Sequence, residues 1–437
     1  MFKMILQIIF MAMFLSGGTS YAGDVAGAGI SGSSLFEVDR RRDQYGKDFA
    51  YFAFPFASEV PGYGSAVGAI GLAANIAGTD TDAFAFYMDG DFSASGLSVL
   101  DIQLIPKRLI FDVGMYNYAV VSDEYGRSID SDPDDYLRTN VEGEGGQGQL
   151  TLTFMQRMLD TYVRYGSVSY RVLKIINSDD KEFTNFDTDT KRSQILTVGF
   201  NIDITDDRLD PRKGLRFEGA RRSQLNDVDP IFSKFNVYDW NLTGYLPMGK
   251  HSTWVFNVFR SDAHRKSTGS LDPIELEQRF GLDCDSIIDA QERLQCEDSE
   301  RKRIDEILAQ NQYGYATPLG GTQRLRGFVN NRFHAGHSVS YGTEFRWNIT
   351  EEQTLMDWYI LKGLRTNIQA AFFAEAGSVA DHSEDLHDKL KYIYGVGARI
   401  VFSGAVLRFD IASGDEGVQT QLFINYPWSL FSVDRPG

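Results

Sequence analysis

Four groups of residues have types and spacings that could do chemistry. Gly320-Gly321-Thr322-Gln323-Arg324-Leu325-Arg326-Gly327-Phe328 packs two glycines, a basic pair and Gly-Phe into a compact turn that can push a guanidinium into a confined place. Arginine keeps its charge, so a buried Arg326 needs an acidic partner. Asp130, Asp132 and Asp134 have the spacing of the first three ligands of a calcium loop. Asp135, however, stands where the sharp turn needs Gly, and Val141 where a bidentate Glu belongs, so they read as a solvated loop. His334 and His337 lie three apart with no acidic neighbour in sequence, which is not a zinc-protease arrangement, and they read as surface-loop histidines. Cys284 and Cys296 are the only cysteines. Without a second pair or an intervening His they read as a disulfide closing a short loop, worth roughly 3 kcal/mol in the chain-entropy model. No Gly-x-Ser-x-Gly elbow occurs. The expectation is therefore no enzyme, no catalytic residues, no metal and no cofactor.

The elements that must hold these groups are legible from parity. In Gln194–Thr205, Leu196, Val198, Phe200, Ile202 and Ile204 alternate with Thr197, Asn201, Asp203 and Thr205. In Ser338–Thr350, Val339, Tyr341, Phe345, Trp347 and Ile349 oppose Ser340, Glu344, Arg346 and Asn348. Val418, Leu422, Ile424 and Tyr426 likewise oppose Gln419, Gln421 and Asn425. Successive side chains of a strand point to opposite faces, so each segment has one apolar and one wet face. About sixteen such segments begin near residues 50, 64, 82, 92, 109, 143, 161, 193, 214, 234, 253, 338, 366, 391, 405 and 418. Several have the nine to thirteen residues that a tilted strand needs to cross a bilayer, longer than the strands of a soluble sandwich. With the first strand leaving the periplasm, the long connections (122–142, 177–192, 262–337, 380–390) all fall outside and most short ones inside, as in a bacterial outer-membrane barrel.

Composition agrees. The chain has 437 residues, 60 acidic against 43 basic, a formal charge of −17 and 42 glycines. An acidic chain without a basic stripe is a poor binder of nucleic acid. The mean hydropathy of −0.27 averages a lipid face with a face on an aqueous lumen. Residues 1–22 carry Lys3, an apolar stretch from Met4 to Leu15, and small residues Ser20 and Ala22, which reads as a cleaved export signal rather than a membrane anchor. Residues 23–47 read as a periplasmic tether too short for a domain, 48–431 as the barrel, and 432–437 as a C-terminal tail. Within the barrel, 266–318 reads as a helical insertion in the sixth external loop. Its two helical stretches are 271–280 and 285–311, with Asp285 or Ser286 as N-cap and a partial stripe of Ile287, Ile288, Leu294, Ile304, Ile307 and Leu308. Parity then offers Arg326 a partner. Ile368, Ala370 and Phe372 face lipid, so Gln369, Phe373 and Glu375 face the lumen, with Glu344 and Arg346 as weaker competitors.

On three motifs the chain resembles the BamA/TamA family of outer-membrane barrels, bacterial surface antigens that include the transporters of two-partner secretion. Leu325-Arg326-Gly327-Phe328 sits where that family has Val/Ile-Arg-Gly-Phe/Tyr, at the tip of the sixth external loop. Phe373-Ala374-Glu375-Ala376-Gly377 matches its Phe-x-Asp-x-Gly on the thirteenth strand, with Glu for Asp. Asp207-Arg208-Leu209-Asp210-Pro211-Arg212-Lys213-Gly214 resembles its acidic, proline-containing periplasmic turn ending in Gly. The resemblance spans about residues 48–431. It implies an all-β fold, a sixteen-stranded antiparallel transmembrane barrel whose sixth external loop enters the lumen and pairs through Arg326 with Glu375. It also implies insertion or translocation of polypeptides at the outer membrane, a polypeptide client, a separate periplasmic partner and contact with outer-membrane lipid. Family members usually carry periplasmic POTRA domains, and none fits in this sequence. A passive pore or surface scaffold stands as the alternative. The Arg326 pair either fixes the plug or takes part in gating, and the sequence leaves both readings standing. Tyr426-Pro427-Trp428 departs from the family's terminal Phe, and Pro427, lacking an N–H, suits a frayed strand end.

Overall fold

The computed structural model describes residues 49–430 apart from 179–181, 184–187, 209, 226–230, 283, 351–354, 359–360 and 403–404. The expected signal 1–22, tether 23–47 and tail 432–437 lie outside the described residues.

Sixteen antiparallel strands close into one barrel. They are β1 (Ala50–Val60), β2 (Gly64–Ala74), β3 (Asp82–Gly90), β4 (Ser93–Ile105), β5 (Leu109–Tyr125), β6 (Tyr136–Phe154), β7 (Leu159–Asn177) and β8 (Lys191–Asp203), followed by β9 (Gly214–Gln224), β10 (Lys234–Pro247), β11 (Ser252–Ser267), β12 (His337–Asn348), β13 (Leu361–Ala380), β14 (Lys391–Phe402), β15 (Ala405–Gly414) and β16 (Gly417–Ile424). Each pairs with its sequence neighbours, and β16 meets β1. Two short strand segments, Glu182–Phe183 and Leu355–Trp358, extend β7 and β13 beyond the wall. No helix among the described residues is long and apolar enough to cross a membrane.

The alternation sorts the side chains as the wall requires. On β8, Val198 and Ile202 are exposed on the outside, while Thr197, Asn201 and Asp203 are buried inward. On β12, Trp347 points out while Ser338, Ser340, Glu344 and Arg346 are buried. Two strand starts differ appreciably from the parity reading. β6 begins at Tyr136 rather than 143, and β13 at Leu361 rather than 366, because these strands run past the apolar belt, where alternation no longer marks them. Val339 departs from its neighbours: it is buried although its parity points out.

The helical insertion forms α1 (Pro273–Phe280) and α2 (Ala290–Tyr313). The N-cap of α2 is Asp289, whose carboxylate accepts from the N–H groups of Gln291 and Glu292 at 3.0 and 2.9 Å. Asp285 and Ser286 instead lie in a short 3-10 turn. Ile304 and Ile307 pack with Leu276 and Phe280 of α1, whereas Ile288 and Leu294 are exposed, so the apolar stripe is shorter than the sequence suggests. Lys302 ties α2 to the 126–135 loop, 2.6 Å from Asp135 and 2.8 Å from Asp298. These hydrogen bonds, that of Asp135 foremost, hold the ammonium above the ordinary lysine range, and the Lys302 contact holds Asp298 below the usual carboxylate range.

Cys284 and Cys296 are joined by a disulfide, and the cystine packs against Ile175 and Leu282, seating the insertion on the rim of β7. Replacing both cysteines with serine should therefore destabilise the docked helices by about 3 kcal/mol. The measurement is protease cleavage within 270–313, which should accelerate in the variant while the gel shift between folded and heat-unfolded barrel is unchanged.

Candidate functional site

The lumen is filled from both ends. From the loop end, residues 314–336 descend inside the barrel, held as a narrow hairpin by the Leu319–Phe333 bridge. At its tip Leu325, Arg326 and Phe328 are completely buried. Leu325 takes a left-handed φ of 52°, and Phe328 packs edge-on against Phe333, ring centroids 4.9 Å apart, in a cluster with Leu319 and Phe373. Gly327 fits because a Cβ there would lie 2.7 Å from Ile393 Cγ2 and 3.0 Å from the Gly414 N.

Arg326 is the hub. Its backbone N–H and Nε donate to the two oxygens of Glu375 at 2.9 and 2.8 Å. Its Nη1 donates to Glu344 at 3.1 Å and to Asp410 at 2.8 Å, and its guanidinium lies 3.6 Å from the centroid of the Phe373 ring. Gly377 lies under Leu319 and Leu325, without room for a side chain. The carboxylates have further cations. Arg346 and Arg399 reach Glu344 at 2.8 and 3.0 Å, and Arg399 and Arg408 reach Asp410 at 2.5 and 3.4 Å. Four guanidiniums thus share three carboxylates with no exposed member. A buried charge is tolerated only when paired and hydrogen-bonded, so removal of one member strands the rest.

Parity could have found Asp410, Arg399 and Arg408, which are charged residues at inward positions of β14 and β15 between outward Leu407, Phe409 and Ile411. Trp428 could not have been found that way. β16 ends at Ile424, not at Tyr426, and the chain turns into the lumen through Asn425, φ 85°, and Trp428, φ 68°. Tyr426, which parity places toward lipid, is thereby buried inside. Trp428 Nε1 donates to Glu375 Oε1 at 2.8 Å, and Asn241 Nδ2 donates to the Trp428 carbonyl at 2.6 Å.

The Asp207–Gly214 turn supplies the other plug. Asp207, Arg208, Asp210 and Pro211 are buried rather than exposed on the rim. Asp206 Oδ1 accepts from the N–H groups of Arg212 and Lys213 at 2.8 and 2.9 Å, Asp207 Oδ1 accepts from the Asp210 N–H at 3.2 Å, and Gly214, φ 109°, starts β9. Asp210 Oδ1 then reaches across the barrel, accepting from Tyr426 Oη at 2.8 Å and Gln369 Nε2 at 2.7 Å. The inward C-terminal segment is thus held between Glu375, which also grips Arg326, and Asp210. Asp210→Asn presents an amide N–H group where donors converge, and should cost about 1–3 kcal/mol. The check is the urea midpoint of the folded barrel in detergent micelles, with Tyr426→Phe expected to give a smaller shift in the same direction.

The seam between β1 and β16 is the weakest junction in the wall. β1 pairs with β2 at every residue from Ala50 to Val60, but with β16 only at Glu59–Leu422 among the described residues, supplemented by Ser58 Oγ donating to the Leu422 carbonyl at 3.2 Å. Other parts of the chain bridge the gap. At the loop end Asn330 bonds Pro61 and Tyr63 on one side, while Arg332 pairs with Glu416 on the other. In mid-wall Gln421 Nε2 donates to the carbonyls of Gly321 and Arg326 at 2.9 and 2.7 Å. At the turn end β1 pairs directly with β13, Tyr51 with Lys362 and Phe52 with Leu361, bypassing three strands.

The remaining candidates do not join the site. His334 is buried, not on a loop surface, with its Nε2 3.0 Å from Glu306, and His337 Nδ1 lies 2.7 Å from Asp262. Asp130 pairs with Lys389 at 2.5 Å. No group of metal-ligating side chains is present among the described residues.

This barrel, with its inserted loop, resembles solved structures. CdiB from Escherichia coli superposes with a TM-score of 0.50 at 10% identity, over 86% of this chain and 62% of CdiB. The chain shares its fold with CdiB. CdiB from Acinetobacter baumannii gives 0.47 at 10% identity, over 86% and 59% of the two chains. BamA from Haemophilus ducreyi lacking POTRA domains 1-3 gives 0.47 at 13%, over 85% and 69%. The chain thus spans about six- to seven-tenths of the length of these proteins. No protein-family model matches the sequence, and no curated protein is significantly similar to it.

Proposed function

We propose that the chain is an outer-membrane barrel of the BamA/TamA type that inserts or translocates polypeptides, exported by its N-terminal segment and served by a separate periplasmic partner. The observation that carries this reading is the seam. A strand pair joined at one registered position is the junction of the wall that a client strand can most readily enter, because strand edges recruit strands. The inserted loop and the C-terminal segment fill the lumen at rest, and the loop's contacts with Gln421 and Glu416 tie that filling to the seam strand and the turn before it. A purely passive pore fits poorly with a lumen packed by four guanidiniums and three carboxylates. A surface scaffold is the second reading, favoured by the exposed Ile288 and Leu294 of the helical cap.

The test is depletion in the native cell, followed by quantification of folded outer-membrane proteins and of secreted polypeptides. A fall in either supports the reading. Unchanged levels of both, with loss of surface adhesion or binding alone, would establish the scaffold instead.

A further inference from the structure

The outward face of β4–β8 carries a polar row that neither the plug nor the seam uses. Ser95, Asn117, Glu144, Ser169 and Arg192 are successive register partners across these five strands. They share the outward parity of Leu97, Met115, Leu150, Val163 and Val198, all exposed. The rows beneath, toward the turn end, are Leu97, Met115, Gly146, Ser167 and Gln194, then Val99, Val113, Gly148, Tyr165 and Leu196. Gly146 leaves the β6 position of the first row without a side chain, so a short trough runs from Glu144 into the apolar belt and ends at Gly148, where the Phe111 ring lies 3.4 Å from the Cβ position. At its head lies a cavity of about 680 Å³ bounded by Asn117, Glu144, Gly146, Ser167, Ser169 and Arg192. Arg192 Nε donates to Ser167 Oγ at 3.0 Å and Ser95 Oγ to Asn117 Oδ1 at 2.9 Å, which orders both ends of the row. Glu144 has no ion-pair partner among the described residues.

We propose that this cavity and trough bind one lipid of the loop-side leaflet, a phosphorylated glycolipid, with an acyl chain entering over Gly146 against the Phe111 ring and its sugar headgroup on the polar row. Spacing chooses the headgroup. Glu144 and Arg192 sit two strands apart, about 10 Å at the usual strand separation. A carboxylate accepts from hydroxyls and repels phosphate, whereas a guanidinium binds phosphate. The occupant must offer hydroxyls at one end and phosphate at the other across that span. A phosphorylated disaccharide does so. An ethanolamine headgroup, with two carbons between nitrogen and phosphate, is too short. The proposal uses the bilayer setting of the barrel but not its action on polypeptides, so failure of either leaves the other standing.

The test is native mass spectrometry of the whole purified barrel titrated with a phosphorylated diglucosamine lipid, a phosphatidylethanolamine or a phosphatidylglycerol of matched chain length. The glycolipid adduct should survive at about tenfold lower concentration than either phospholipid, a difference near 1.4 kcal/mol. The Glu144→Ala/Arg192→Ala variant, altered only at exposed side chains, should abolish that preference, and Gly146→Leu should weaken all three adducts by filling the trough. Equal retention of the three lipids, a phospholipid preference, or a glycolipid preference undiminished in the double variant would overturn the assignment. A gel heat-shift on each variant establishes that the barrel is folded.

Discussion

Arg326→Leu should unseat the sixth loop from the lumen. The substitution removes the cation that serves Glu375, Glu344 and Asp410 together and leaves the Glu375 charge with two neutral donors, the backbone N–H of residue 326 and the Trp428 indole. Breaking one side of a buried ion pair costs about 3–5 kcal/mol, because the stranded charge stays in a dry site. Withdrawal of the loop relieves that cost by letting water reach the Glu375 charge, against the burial of Leu325 and Phe328 and the Gln421 hydrogen bonds, which hold the tip in place. In a planar bilayer the parent should show small, infrequent openings, and Arg326→Leu a larger, steady conductance. Glu375→Gln should behave in the same direction but more weakly, since Glu344 and Asp410 still hold the guanidinium. Arg326→Lys should resemble the leucine variant more than the parent, because one ammonium cannot reproduce a fork that reaches three carboxylates. Equal conductance in all four proteins would show that this cluster does not close the lumen.

The strand framework was legible because its physics is local. A wall with lipid outside and polar filling inside forces period-two patterning on every strand, and fourteen of sixteen starts fall within two residues of where that patterning breaks. The two misplaced starts, at Tyr136 and Leu361, open segments in which charged and apolar residues mix and no run of apolar residues at every second position marks a lipid face. The position of Glu375 opposite Arg326 was readable for the same reason: parity fixes which side of a strand a residue faces. Parity does not fix depth or azimuth. It could therefore place Glu375 and Glu344 inside without saying that both, with Asp410, would meet one guanidinium.

Contacts made by segments that leave the wall were not readable at all. Tyr426 continues the alternation of β16 in sequence, yet faces inward because the chain leaves the strand at Asn425. The reach of Asp210 to Tyr426, 216 residues away, comes from a turn that folds back into the barrel instead of ending at its rim. The partial stripe on the insertion misled for a related reason. α2 buries Ile304 and Ile307, with partly buried Leu308, against α1 and leaves its N-terminal half largely exposed apart from Cys296, so helical periodicity overstated its apolar contact. At the seam, sequence offered only Pro427 as a sign of fraying, while the pairing of β1 with β13 depends on how far two neighbouring strands overrun the short β14–β16 hairpins.

Gly342→Ala is expected to expel the C-terminal segment, with an effect comparable to losing Trp428 itself. Gly342 faces inward on β12, and a Cβ there would lie 2.5 Å from Trp428 Cζ2 and 2.6 Å from Cε2. The ring cannot slide aside cheaply. Its Nε1 is bonded to Glu375, its carbonyl to Asn241 and its backbone N–H to the Gln323 carbonyl. Removing a buried aromatic side chain costs about 3–5 kcal/mol, and a methyl that denies the ring its place forfeits most of that contact. Exit of Trp428 also draws Tyr426 off Asp210, so both plugs lose their shared anchor, while the seam keeps the ties made by the sixth loop. The readout is maleimide labelling of Ser429→Cys, the native cysteines being tied in their disulfide. Labelling should rise about tenfold or more in the Gly342→Ala background, the ratio that corresponds to 1.4 kcal/mol of destabilisation. A double-mutant cycle separates this from general damage to β12. If the methyl acts by displacing the indole, adding Gly342→Ala to Trp428→Ala should change labelling and urea stability by much less than it does alone, a coupling well above the 0.5 kcal/mol within which independent sites add. Additive effects would mean that Gly342 matters to the strand and not to the wedge, and the C-terminal segment would then lose its place as the link between loop, turn and seam.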